Sequence, residues 1–144
     1  MNNAEILLIE DNESDAEIVV RALTKNKIIQ SIKHVIDGEE AAEYLFCAGR
    51  YSGRNPNARP KLILLDLKMP KVNGMELLAR IKTDERTKTI PVVVFTSSRE
   101  ERDLLEAYKL GANSYVVKAA TYEAYSKTIC EVGTYWLFIN QLPS

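Results

Sequence analysis

At 144 residues the chain is long enough for one domain with a real core and too short for two. Its 46% apolar and 27% charged residues and formal net charge of -1 are ordinary for a soluble protein, and the absence of a basic block excludes a generic nucleic-acid or membrane affinity. No apolar run approaches the roughly 18 residues of a membrane helix and no secretion signal opens the chain, so a cytoplasmic protein with Cys47 and Cys130 reduced is expected.

Strand-like and helix-like segments alternate from end to end, the pattern of parallel βαβ units. A first strand is predicted from Glu5 to Ile9, running into Glu10 and Asp11. The helix that follows, from about Glu13 to Lys25, has Asn12 as its cap and Ile18, Val19, Ala22 and Leu23 as its inner stripe. A second strand spans Ser31 to Ile36, and Asp37-Gly38 opens a helix through about Ala48 with Ala41, Ala42 and Leu45 inward. Residues 49–60 read as a loop, long for such a connection; a solvated insertion is the simpler reading, and arginines able to meet a partner the other.

The third strand, Lys61 to Leu65, drives four apolar residues straight into Asp66, and the Met69-Pro70 step bounds it. Asn73-Gly74 starts a helix carrying Leu77, Leu78 and Ile81, and the fourth strand runs from Ile90 to Phe95. Ser98-Arg99-Glu100-Glu101 has the pattern of a capping box for a fourth helix, which ends at Leu110-Gly111. The fifth strand is Ser114 to Val117, and the last helix extends from about Thr121 to Asn140. Tyr125, Ile129, Val132, Trp136 and Ile139 form its inward face, while Tyr135, Leu137 and Phe138 make its tip apolar nearly all round. A helix end of that kind needs something to cover it.

If the first and third strands are neighbours, Glu10, Asp11 and Asp66 converge at the carboxyl edge of the sheet, where ligand crevices form in α/β folds. Three close carboxylates repel unless a cation neutralises them, and hard oxygen ligands suit Mg²⁺. The same edge receives Thr96 and Ser97 from the fourth strand and Lys118 from the fifth. Such a set can hold a phosphoryl group on Asp66, with the metal and Lys118 neutralising its oxygens and Thr96 donating a hydrogen bond. The only histidine, His34, lies within a strand and reads as structural, so the chain is not its own histidine kinase.

Ile9-Glu10-Asp11-Asn12, Leu64-Leu65-Asp66-Leu67-Lys68-Met69-Pro70 with Gly74, Phe95-Thr96-Ser97-Ser98, Gly111-Ala112 and Tyr115-Val116-Val117-Lys118 resemble, in order and across nearly the whole chain, the receiver domain of two-component response regulators. The resemblance implies a flavodoxin-like (CheY-like) doubly wound α/β fold, with five parallel strands in the order 2-1-3-4-5 and five helices. It implies one receiver domain over residues 1–144 with no output domain, a phosphoacceptor rather than an enzyme. Asp66 would take phosphate from a phosphohistidine on a sensor histidine kinase. Glu10, Asp11, Asp66 and the Lys68 backbone carbonyl would hold Mg²⁺. Thr96 and Tyr115 match the switch pair, and Lys118 the salt-bridging lysine.

Within the family the chain looks most like stand-alone receivers that partner bacterial phytochromes, on the strength of the loop before Lys61 and an aromatic last helix ending in Leu142-Pro143. A homodimer is expected through the face of the fourth helix, fifth strand and last helix, with Tyr135, Trp136 and Phe138 in it. One departure stands out: the family's proline after the lysine is here Ala119. A cis peptide without proline costs roughly 2.5–4 kcal/mol, so a trans bond and a less well aimed Lys118 are expected. Two alternatives remain at this point. A haloacid-dehalogenase-type phosphatase also uses a strand-end Asp, but it needs a second Asp where this chain has Lys68. A degenerate receiver would bind partners without being phosphorylated.

Overall fold

The computed structural model describes residues 4–29, 31–68 and 73–141. Five parallel strands, β1 (Ile6–Ile9), β2 (Ile32–Val35), β3 (Leu62–Leu65), β4 (Val92–Thr96) and β5 (Ser114–Val117), lie in the order β2-β1-β3-β4-β5. Helices α1 (Glu13–Lys25), α2 (Gly38–Leu45), α3 (Gly74–Thr83), α4 (Glu101–Lys109) and α5 (Tyr122–Thr134) cover both faces. This is the doubly wound architecture that the resemblance implies.

Alternation along the strands divides the core. Leu7, Ile9, Ile63, Leu65, Val92 and Val94 point to one face, where they meet Tyr44 of α2, Leu77 and Ile81 of α3 and Ala107 of α4. Ile6, Leu8, Leu62, Leu64, Val93 and Phe95 point to the other, against Val19 and Leu23 of α1 and Tyr125 and Ile129 of α5. Strands β1, β3 and β4 are buried throughout, as their near-continuous apolar runs require, whereas β2 and β5 form half-buried edges. The register pairs Ile9 with both Val35 and Leu65. Residues 10 and 66 therefore leave the sheet side by side.

Four features differ from the sequence reading. Helix α2 stops at Leu45 rather than near Ala48, because Cys47 and Gly49 adopt positive φ (53° and 49°) that no helix continues. The connection that follows is largely exposed, as a solvated insertion is, but it is anchored from within rather than free. Arg54 is buried within it, its Nε donating to the Tyr44 carbonyl (2.9 Å), one Nη to the Ala58 carbonyl (2.6 Å), and its guanidinium lying 4.1 Å from the Tyr44 ring centre. Arg50 is likewise turned to its own chain, 2.7 Å from Glu43.

Helix α4 is not capped by Ser98. It begins at Glu101, while the Ser98 hydroxyl donates to Asp103 (2.5 Å) and accepts from the Glu100 amide, holding the β4–α4 loop instead. The last helix is not α-helical to its end: Tyr135–Ile139 is a π-helical segment, closed by the Asn140 amide on the Tyr135 carbonyl at 2.7 Å. A π turn changes the phase of the side chains. Trp136 packs on the core as expected, but Leu137 joins it, and Ile139, expected inward, is 62% exposed. The Met69-Pro70 step and Leu142-Pro143 lie outside the described residues. Both cysteines are free thiols.

Candidate functional site

The site is assembled by strand ends. Glu10 and Asp66 follow β1 and β3, only 2% and 7% exposed, and the Asp66 amide donates to the Ile9 carbonyl at 3.0 Å. Asp11 stands next to them in solvent, and one carboxylate oxygen from each of the three lies within 4.8 Å of the others. Thr96, at the end of β4, is fully buried, and its Oγ1 accepts from the Ser98 amide at 3.2 Å. The Lys118 amide donates to the Thr96 carbonyl at 2.8 Å, which carries the end of β5 to the same edge.

Lys118 Nζ reaches the centre of this group, 2.7 Å from Glu10 Oε1, 2.8 Å from Asp15 Oδ2 and 3.3 Å from Asp66 Oδ2. No described peptide bond is cis. The Lys118–Ala119 bond is trans, as expected, and the ammonium lies nearer Glu10 and Asp15 than Asp66 while still within 3.3 Å of it.

Asp15 was not foreseen. In the first turn of α1 it reads as an acid complementing the helix dipole, with its amide bonded to the Asn12 cap at 3.0 Å. No local pattern marks its role, because its partner Lys118 lies at the far end of the chain. Lys68 meets the site through its backbone amide, which donates to Asp66 Oδ1 at 3.2 Å. Tyr115 is half-buried on β5, its hydroxyl donating to the Ser98 carbonyl at 3.1 Å. His34 is structural, as expected, its Nε2 2.7 Å from the Glu10 carbonyl oxygen.

Burial, reinforced by neighbouring Asp66, raises the Glu10 pKa from 4.5 to about 8, against the opposing pull of Lys118. The Glu10 carboxyl is thus harder to ionise when no cation is bound. Burial alone would lower the Lys118 pKa, but its hydrogen bonds to Asp15 and Glu10 and the charge of Asp66 together raise it, so the ammonium stays charged. An all-oxygen donor set with partial burial and surplus negative charge fits a hard divalent cation.

The family model of the response regulator receiver domain matches residues 6–129. The chain belongs to that family. It is 39% identical over 138 residues to the probable methanogenesis regulatory protein FilR2 of Methanothrix harundinacea, covering 96% of this chain and 86% of the relative. Response regulator Rcp1 of Synechocystis is 37% identical over 139 residues, covering 96% and 92%; its Mn²⁺-bound crystal structure superposes with a TM-score of 0.89. The crystal structure of the phosphorylated cyanobacterial phytochrome response regulator RcpA matches with a TM-score of 0.90 at 39% identity, covering 96% of this chain and 97% of that one. The receiver is a phosphorelay response regulator, and its acidic edge is suited to a divalent cation. No described helix is long and apolar enough to cross a membrane.

Proposed function

We propose that this receiver accepts a phosphoryl group on Asp66 from a phosphohistidine of a sensor histidine kinase and signals through protein contacts. Its single domain would occupy residues 1–144 and act in the cytoplasm. The observation that carries the reading is Lys118 Nζ standing between Asp66 and Glu10, on an acid group able to take a cation. An Asp66 carboxylate oxygen attacks phosphorus in line; the N–P bond breaks and its electron pair stays on the kinase imidazole. Glu10, Asp11, Asp66 and the Lys68 carbonyl would hold Mg²⁺, which when bound would supply positive charge to the phosphoryl oxygens. Lys118 neutralises another oxygen, and the buried Thr96 hydroxyl turns from the Ser98 amide to donate a hydrogen bond. The Tyr115 hydroxyl, from β5, holds the same loop at the Ser98 carbonyl, so its ring would respond to that turn.

The likeness to RcpA supports a phytochrome-type kinase as the donor. Output is proposed through a homodimer on the face of α4, β5 and α5, since α4 exposes Leu105 and Tyr108 and the segment that ends the last helix exposes Tyr135 and Phe138. Trp136, expected in that face, instead supports it from the core side. Incubation with acetyl phosphate and Mg²⁺ should add one phosphoryl group by intact-mass analysis, and Asp66→Asn should abolish it. An unchanged adduct in that variant would overturn the assignment.

A further inference from the structure

Lys118 is shared unevenly among its carboxylates. Glu10 and Asp15 hold its ammonium at 2.7 and 2.8 Å, whereas Asp66 lies at 3.3 Å, so the charge is drawn toward the α1 side. Glu10 belongs to the group that converges on a cation, but Asp15 does not. Among the described residues, the Asp15 side chain is tied to the site through Lys118. If the ammonium moves onto a phosphoryl group at Asp66, the Asp15 carboxylate is the one left without a counter-charge.

Tyr125 is the second observation. It lies on the inward face of α5, 4% exposed, its ring stacked on Phe95 of β4 with centroids 6.2 Å apart. Its hydroxyl is buried and has no hydrogen-bond partner among the described residues. A buried polar group left unpaired costs about 1–3 kcal/mol, and such an orphan calls for a reason. Burial raises the pKa of this phenol, and the charges of Lys118, Glu10, Asp15 and Asp66 all act on it. The Tyr125 ring belongs to the same core cluster as Ala16, the residue that follows Asp15, so the first turns of α5 and α1 lie together beside the lysine network.

We propose that Asp15 and Tyr125 are positioning residues that act in alternation on Lys118. At rest Asp15 holds the ammonium back from Asp66; when the ammonium engages a phosphoryl group, the Asp15 carboxylate accepts a hydrogen bond from the Tyr125 hydroxyl. One movement then removes two costs, a carboxylate without a partner and a phenol without an acceptor. The phosphorylated state is favoured by whatever the resting state leaves unsatisfied, since a ligand shifts an equilibrium only by its differential interactions. The inference rests on Asp66 being the phosphoacceptor.

The test uses fluoroberyllate, a phosphoryl analogue, with Mg²⁺, on the full chain and its Tyr125→Phe, Asp15→Asn and doubly substituted forms. Melting temperatures are read with and without the two additives. Tyr125→Phe at rest should melt at or above the unsubstituted chain, because it loses an unpaired hydroxyl. Its stabilisation by Mg²⁺ and fluoroberyllate should be smaller than that of the unsubstituted chain. In the Asp15→Asn background the Tyr125→Phe effect on that stabilisation should shrink, the signature of a direct pair. A Tyr125→Phe protein that melts lower at rest already had a partner for the hydroxyl and overturns the proposal. So does an unchanged stabilisation, or a loss that persists in full without the Asp15 carboxylate. If the unsubstituted chain itself is not stabilised by the additives, the phosphoacceptor reading fails and the inference falls with it.

Discussion

At the scale of single residues, Glu10 makes the resting site sensitive to pH. Its folded pKa of about 8 lies above the ordinary 4.5, so the folded chain binds this proton more tightly than the unfolded one does. The stability tied to that proton is fully present below 4.5 and is lost as pH rises through about 8. Denaturation of the metal-free chain should therefore show a decline over this window that Glu10→Gln flattens. Mg²⁺ requires the carboxylate, so its affinity should rise across the same window, as calorimetric titrations near both ends would show. Lys68 is expected to act on the phosphorylated product instead. It stands two residues beyond Asp66, with its amide on the acceptor carboxylate at 3.2 Å, and has a long cation but no carboxylate or amide to orient an attacking water. Lys68→Asn should speed loss of the phosphoryl group several-fold, followed by intact mass against time; an unchanged or slower rate would count against a shielding role.

At the scale of elements, legibility followed the range of the forces involved. Strands β1, β3 and β4 were readable because their apolar runs need burial on both faces, and Glu10, Asp11 and Asp66 followed at once as the residues that leave the sheet. The cap at Asn12 was local and held. The Ser98 capping box was also local, but Asp103 and the Glu100 amide outcompeted it. Asp15 and Arg54 were not readable, since the role of each depends on a group far along the chain or on the packing of a loop. Arg54 gives that loop an energetic test. Its guanidinium satisfies two carbonyls and covers the Tyr44 ring while buried. Arg54→Ala should destabilise the fold by about 2–3 kcal/mol, since hydrogen bonds to charged groups contribute about 1.5–3 kcal/mol and buried packing is lost as well. Urea denaturation with an unchanged slope would measure it; a loss within about 0.5 kcal/mol would mean the loop is carried by other contacts.

At the scale of the molecule, the site and the apolar face share one loop. Thr96 accepts from the Ser98 amide, Tyr115 donates to the Ser98 carbonyl, and Ser98 in turn holds Asp103 of α4. A Thr96 hydroxyl drawn toward a phosphoryl group would release one end of this chain of hydrogen bonds, so a change at Asp66 would be passed to α4 and to the edge strand beside it. The π turn matters here because it decides which aromatic groups that face presents: Trp136 anchors the helix end to the core, while Phe138 at 65% and Ile139 at 62% are left to solvent. Large apolar side chains grouped on one surface favour a covering partner, and a second copy of the chain with two-fold symmetry is the simplest. Phosphorylation should raise the dimer fraction, modestly, because the rearranged loop changes only part of the surface. Light scattering at high micromolar concentration should find more dimer after acetyl phosphate treatment, and Phe138→Asp should be monomeric while still taking up the phosphoryl group. If phosphorylated and unphosphorylated chains are both monomeric, the face serves another protein; if Phe138→Asp still dimerises, the contact lies elsewhere on the chain.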